Sequence, residues 1–425
     1  RADYDRYRSF YTKAMHRDFK VEGAYSSRVK GIPTGAFGTD FNDPGNKIMD
    51  TRGYADLKYE HNLGGQTDVA ARLFYDYYAY TGDYLYAASL NRDQSYGEWW
   101  GSEVKLVSRL FDTHRVILGG EYVNNTRQDQ QNYDVSPAVF YLDDARASQI
   151  EAVYIQDEFA LVTNTTVNAG VRYDHYDTFG GTTNPRLALI YTPFEKVSCK
   201  LLYGSAFRAP NDYELYYVSP TSNPPMVANP DLKPEKIRTY TLVYEQYFGD
   251  HFHAAVSGYY YTIEDLIDQT TDLSGNSVFK NIDEVDARGI EWEVENRWAN
   301  GIDGRFSYTI QRTEDKLTGK RLTNSPAQLA KLNLAVPLMT EKVFAGIEEL
   351  YMSGRKTLSG ASAESFYITN LTIYTQNLVN RLDVSASVYN LFNRRYGDPV
   401  SADLLPLDTV RQDGRTYRLK LTYAF

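Results

Sequence analysis

The side chains in this 425-residue sequence that could engage a partner are mostly aromatic: 38 Tyr, 19 Phe and 4 Trp, against 6 His and a single Cys, Cys199. Their chemistry is stacking on a flat or hydrophobic surface, because a ring offers large contact area at low entropic cost. They gather at Tyr84, Tyr96, Trp99 and Trp100, again at Tyr133, Phe140 and Tyr141, and again at Tyr213, Tyr216 and Tyr217. Each group could equally sit in an interfacial belt or pack loops together. Charged residues form a second set, Arg172, Glu291, Glu293, Glu295, Arg418 and Lys420. A ladder of ion pairs is their simplest use, and a lining that docks a domain or guides a solute is the functional one.

Bond-making chemistry finds little support. The sequence has no G-x-S-x-G elbow, H-E-x-x-H, P-loop or Rossmann glycine pattern. His16, His61, His114, His251 and His253 fall at or beside short turns, away from any nucleophile the pattern brings near, so no enzyme is expected. Asp143-Asp144 could offer oxygen ligands to Ca²⁺, but without a spaced D-x-D-x-D-G loop a solvated acidic turn is the better reading. Five Met and one Cys give no soft cluster for copper. No metal site and no cofactor are expected.

The elements that must hold these residues follow from alternation. Val167, Ala169, Val171 and Tyr173 share one face of a segment whose other face is Asn168, Gly170, Arg172 and Asp174. Val69, Ala71, Leu73, Tyr75 and Tyr77 oppose Asp68, Arg72 and Asp76. Ile290, Trp292 and Val294 alternate with Glu291, Glu293 and Glu295, and Tyr417, Leu419, Leu421, Tyr423 and Phe425 with Arg418, Lys420 and Thr422. A period of two rich in Tyr and Val is a strand with one apolar and one polar face. About nineteen such segments can be counted. Short connections (His16-Arg17, Leu63–Gly65, Phe111–Thr113, Thr163-Asn164, Phe248–Asp250, Ala299-Asn300, Leu378–Asn380) alternate with long ones near Arg28–Asp50, Asn124–Arg146, Arg208–Leu232 and Tyr396–Gly414. That describes an up-and-down meander.

A mean hydropathy of -0.50 and the lack of a long apolar run exclude transmembrane helices. The 45 Lys and Arg against 55 Asp and Glu, a net -10, disfavour a nucleic-acid partner. A soluble sandwich also alternates. Tyr and Trp near segment ends (Tyr173, Tyr417, Tyr423, Trp298) and charge along the opposite faces favour a membrane, where strands span only as a closed barrel. The odd count, with Arg1 close to the first strand, implies N-terminal strands lying outside this sequence.

Five stretches then resemble the TonB-dependent outer-membrane receptors. Gly204–Pro210 contains the family's "FRAP", and Asn229–Glu235 resembles its "NP-L-PE". Arg288–Glu291 is similar to "RG-E", and Asn390–Asn393 with Tyr396 to "NLF-Y"; Leu419–Phe425 ends on an aromatic. The resemblance implies an all-β, transmembrane, antiparallel up-and-down β-barrel, about 19 strands here of roughly 22, with a plug in its lumen. Residues 1–425 would be the barrel, and the plug and first strands would lie outside them. It further implies a Gram-negative outer-membrane protein that binds and imports a scarce nutrient such as a ferric siderophore or cobalamin. Its partners would be outer-membrane lipid, the nutrient, and a TonB-type energy-transducing protein reached through the part not in this sequence. A porin-like diffusion channel and a surface adhesin are the alternatives. The ten aromatics named above become candidate ligand contacts in extracellular loops, and the six charged residues candidate lumen- or plug-facing groups. Haem receptors of this type carry a His between the first two stretches; Phe207 to Leu232 has none.

Overall fold

Alternation becomes long antiparallel strands in a computed structural model of the protein, which describes residues 2–87, 89–339, 342–376, 381–400 and 407–423. In chain order the strands are β1 (Asp5–His16), β2 (Phe19–Gly31), β3 (Lys47–Asn62), β4 (Thr67–Tyr86), β5 (Ser89–Leu110), β6 (His114–Val135), β7 (Ala138–Val162) and β8 (Thr165–Tyr176). They continue as β9 (Gly180–Phe194), β10 (Val197–Arg208), β11 (Glu235–Phe248), β12 (Phe252–Thr271), β13 (Ser277–Arg297), β14 (Asp303–Asp315), β15 (Gln328–Met339) and β16 (Val343–Met352). Short β17 (Arg355–Lys356) and β18 (Ser362–Ala363) precede β19 (Phe366–Thr375) and β20 (Leu382–Tyr389); β21 (Gly397–Pro399), β22 (Thr409–Arg411) and β23 (Thr416–Tyr423) close the chain. Nineteen strands belong to one sheet, while β17–β18 and β21–β22 form two-stranded ribbons. One short helix, α1 (Asp212–Tyr216), follows β10.

The chain divides into two compact units: unit 1 is Arg1–Leu187, Gly204–Ile237 and Ile263–Asp283, and unit 2 is Ala188–Tyr203, Arg238–Thr262 and Glu284–Phe425. In unit 1, β1 to β8 pair antiparallel with their sequence neighbours. In unit 2, β13, β14, β15, β16, β19, β20 and β23 do the same. This is the expected meander.

Register sorts the faces. In unit 1, Leu57 lies opposite Leu73, Ala55 opposite Tyr75, and Tyr75 opposite Trp100. This apolar face is bare, with Leu73 51% and Val153 59% exposed. In unit 2, Ile290 pairs with Ile310 and Ala386 with Leu419, which is 69% exposed. A sandwich would bury such faces against a second sheet; bare apolar faces suit strands solvated by lipid. The other face of unit 1 carries Glu22, Asp56, Arg72, Glu103, Glu121 and Arg172, with Arg72 Nε 2.5 Å from Asp56 and Arg172 Nη2 2.8 Å from Glu121. Two rings also lie across glycines here. A Cβ added at Gly101 would collide with Phe74, and one at Gly119 with Tyr154.

Some expected boundaries move. Phe111–Thr113 and Thr163-Asn164 are turns as expected, with Phe111 and Asp112 at φ 54° and 57°, the twist a tight hairpin needs. The first turn is Arg17 and Asp18, because His16 still pairs with Phe19. Asn124–Arg146 is not a long loop. β6 and β7 stay paired from His114 and Phe159 to Val135 and Ala138, across the polar run Asn124–Asp134. Backbone ladders need no apolar face where water covers both sides, so strand structure outlasts the hydrophobic pattern. The expected turn at Leu378–Asn380 and the terminal aromatic Phe425 lie outside the described residues.

Candidate functional site

At the long-connection end of unit 1 the segment after β10 folds into a cap. Arg208, at the end of β10, forks onto Glu235 at the start of β11, with Nε 2.8 Å from Oε2 and Nη2 2.7 Å from Oε1. Its Nη1 donates to Glu214 in α1 at 2.9 Å. Glu214 completes a capping box with Asn211, which fixes the start of this one-turn helix. Leu215, Leu232 and Ile267 form the apolar cluster beneath, with Tyr216 and Phe279 packed against it. Asn229 Nδ2 donates to the Phe279 carbonyl at 2.8 Å. The "FRAP" and "NP-L-PE" stretches are thus joined by a bidentate ion pair, and the second contributes Leu232 to the small core.

The cap docks on the polar face of β5 to β7. Tyr217 Oη donates to Asp93 Oδ1 at 3.1 Å, and Asn132 Nδ2 reaches both groups at 3.2 and 3.3 Å. Gln128 Nε2 donates to Asp212 Oδ2 at 2.6 Å, and Gln130 Nε2 to the Asp212 carbonyl at 2.9 Å. The Arg146 guanidinium stacks 3.5 Å above the Tyr216 ring. Burial pushes the Asp93 carboxyl up to about 6, and the hydrogen bonds from Asn132 and Tyr217 restrain that rise. Asp212 is raised by burial as well, against Gln128 and Arg146.

The candidate aromatics divide by face. Tyr84, Trp99, Tyr141, Tyr213, Tyr216 and Tyr217 belong to the cap side. Tyr84 Oη lies 2.5 Å from Tyr80 Oη, Trp99 pairs with Asp76, and Tyr141 Oη donates to Asp134 Oδ2 at 2.7 Å. Tyr213 packs against Tyr217 with ring centroids 4.5 Å apart and planes tilted by 37°. Tyr96, Trp100, Tyr133 and Phe140 take the opposite face. Trp100 lies opposite Tyr75 on the bare apolar side and meets Tyr122 at 5.5 Å, as a membrane-interface belt requires. Tyr133 stacks on Phe140 at 4.8 Å, and Arg127 covers Tyr96 at 4.8 Å. The expectation that the first seven candidates sit in loops is corrected: Tyr84 is in β4, Tyr96, Trp99 and Trp100 in β5, Tyr133 in β6, and Phe140 and Tyr141 in β7. Only the cap tyrosines leave the strands.

The charged candidates occupy polar faces. Arg172 bridges Glu121 and Asp174, both at 2.8 Å. In unit 2, Arg305 joins Glu293 at 2.9 Å and Glu295 at 3.0 Å, and Glu291 continues their row on β13. Arg418 and Lys420 lie opposite Ser387 and Ser385. Asp143 accepts from Gln131 at 2.8 Å and Asp144 pairs with Arg146 at 2.6 Å. Among the described residues no three His, Cys, Asp or Glu side chains converge as metal ligands.

Unit 2 has its own loop assembly. Arg355, nearly buried, donates to Asn324 Oδ1 at 3.0 Å and pairs with Asp398 at 2.5 Å, tying β17 to β21. Thr357, 1% exposed, shares Asp408 with Ser359. Within the "NLF-Y" stretch Asn390 spans its own turn, donating to the Arg394 carbonyl at 2.8 Å and accepting from its N–H at 2.7 Å, while Tyr396 packs on Phe366 at 4.4 Å. That motif is a loop staple.

Asp93, Asn132, Gln128 and Gln130 escaped sequence reading, since isolated polar residues in a polar run carry no signal. Arg208 and Glu235 stood inside quoted motifs, and only the fold reveals their pairing.

Comparison with known proteins places this architecture. The chain belongs to the TonB-dependent receptors, because residues 2–391 match the family described as TonB dependent receptor-like, beta-barrel. It is therefore an integral β-barrel protein of the Gram-negative outer membrane. It is 28% identical over 244 residues to a vitamin B12 transporter of Vibrio cholerae, covering 54% of this chain and 36% of that protein. It is 25% identical over 299 residues to an iron-regulated outer membrane virulence protein of the same species, covering 64% and 44%. The chain thus spans less than half the length of these curated relatives. A ferric citrate transporter crystal structure shares the fold with a TM-score of 0.80 at 14% identity, over 99% of this chain and 70% of that one.

Proposed function

We propose that residues 1–425 are the barrel domain of an outer-membrane receptor that captures a scarce nutrient, a ferric siderophore or a cobalamin, and imports it. The observation that carries this reading is the tyrosine cap, where six candidate rings share a face with buried polar groups at the long-connection end of unit 1. Rings of this kind stack on a large ligand, and the polar groups beside them orient it. Arg172, Glu291, Glu293, Glu295, Arg418 and Lys420 would line the lumen against a plug supplied by sequence outside these residues. A TonB-type partner engaging that outside part would drive release. No catalytic residue is assigned.

The test uses the full-length protein expressed in a Gram-negative strain lacking its own iron-chelate and cobalamin receptors. Growth under iron or cobalamin limitation should be rescued by the matching nutrient, and only when the energy-transducing partner is intact. Steady ion conductance of the purified protein without ligand would establish the diffusion-channel alternative. Absence of nutrient-dependent growth from a folded, surface-displayed protein would leave the adhesin.

A further inference from the structure

We infer that Phe37, in the connection between β2 and β3, is a specificity-determining ring of the ligand site, set to press on an apolar face of the nutrient; the inference rests on the receptor reading above and adds a residue to its site. The first observation is the backbone. Gly35, Phe37 and Gly38 all sit in the left-handed region, at φ 68°, 59° and 76°. Glycine takes that conformation freely, whereas a side chain brings its Cβ against the following carbonyl. The sequence thus supplies glycine at two of three left-handed positions and a bulky ring at the third. Burial does not offset the strain, because Phe37 stays 59% exposed.

The surroundings hold this conformation in place. Fully buried Asn46 donates from Nδ2 to the Asp40 carbonyl at 2.7 Å and accepts at Oδ1 from the Leu85 N–H at 2.7 Å. The Asp40 N–H donates to the Leu85 carbonyl at 2.9 Å, and Asp40 Oδ1 accepts from the Ala87 N–H at 3.1 Å. Buried Thr39 donates its hydroxyl to the Ala36 carbonyl at 2.8 Å. The connection is therefore pinned to the end of β4, and the ring is presented rather than left to swing. Strain kept by a firm frame, with no burial to offset it, points to function.

A second observation is where the ring stands. It meets Tyr84 edge-on, with centroids 5.8 Å apart and planes at 85°. Tyr84 lies opposite Asn91, Asn91 and Asn132 join their side chains at 3.1 Å, and Asn132 donates to Tyr217 at 3.2 Å. These contacts lead from Phe37 to the cap without a gap. Unlike the cap tyrosines, Phe37 has no hydroxyl, so what it recognises is apolar area. Phe111, the other described aromatic residue with positive φ, lies in a tight hairpin whose twist calls for that conformation.

The test reads affinity and loop order in the same full-length protein. The probe is whichever of cyanocobalamin, a ferric trishydroxamate and a ferric triscatecholate rescues growth, and its binding is followed as quenching of Tyr and Trp fluorescence. Phe37→Asn and Phe37→Gly delete the ring and suit the left-handed backbone. In both, affinity should fall about tenfold. Hydrogen exchange across residues 32–46 should be no faster than in the unaltered protein. Phe37→Tyr keeps the ring and should keep the affinity. Phe111→Asn relieves the same backbone at the short-turn end and should leave affinity unchanged. Unchanged affinity in Phe37→Asn and Phe37→Gly, or affinity lost together with the protection of the loop, overturns the inference and leaves the receptor reading standing. Growth rescued by none of the three probes, from folded protein, brings down both.

Discussion

The two loop assemblies solve the same problem with different chemistry. In unit 1 the cap is a small apolar core, Leu215, Leu232 and Ile267, pressed onto a polar sheet face through a titratable contact, Asp93 to Tyr217. In unit 2 the ribbons are tied by a nearly buried guanidinium, Arg355 to Asp398 and Asn324, and by hydroxyls on Asp408. The first has a core of its own, and its dock responds to protonation. The second is a set of directional bonds laid beside buried Ala363, Phe366 and Val400. The difference teaches that a loop assembly can be fixed to its sheet through a titratable acid or tied together by a guanidinium, with an apolar core in either case.

Removing the core of the cap should break this contrast most. Leu215 is 2% exposed, so Leu215→Ala is expected to cost about 4 kcal/mol locally. Hydrogen exchange should show residues 211–234 losing protection while the unit 2 ribbons keep theirs, with loss of ligand binding. Equal loss in both assemblies would show that they act as one piece.

Changing pH should sharpen the contrast. Asp93 holds its proton up to about 6 in the fold, above its ordinary 3.8. Its contribution is therefore fully present below pH 4 and is lost as pH rises through about 6, on the order of 3 kcal/mol in all. Cap protection should be higher at pH 4.5 than at pH 7, and Asp93→Asn should flatten the difference. A slope unchanged in the variant would remove Asp93 as its source.

The smallest effect is expected from the scaffold side. Arg355→Met keeps much of the stem and deletes the charge, leaving half-exposed Asp398 to water, for a cost of about 2 kcal/mol. Exchange should rise in β17, β18 and β21 with ligand affinity unchanged. A matching fall in affinity would make the ribbons part of recognition.

The sequence carried the membrane face well because lipid imposes a strict period of two. Val171 and Tyr173, Ile290 and Trp292, and Leu419 and Leu421 all take the side their alternation assigned. Legibility ends where that constraint ends. Above the aromatic belt both faces of β6 are polar from Asn124 to Asn132, so Asn124–Asp134 resembles a loop although its ladder continues. For the same reason Tyr133 and Phe140, taken with the cap tyrosines as one set, lie on the face opposite Asp93. Helix α1 is one turn long and offers no periodicity to detect. The dock between Tyr217 and Asp93 joins residues 124 positions apart, which one sequence cannot disclose.

The rings laid over glycines have a mechanical consequence. Phe74 over Gly101 and Tyr154 over Gly119 fill gaps between neighbouring strands like pegs in sockets. Sliding one strand past the next by a residue or two would have to lift each peg out of its hole, so this part of the wall resists shear. Two neighbouring seams, β4 to β5 and β6 to β7, are keyed in this way, so stiffness is built into the side chains of the polar face as well as into the backbone ladder.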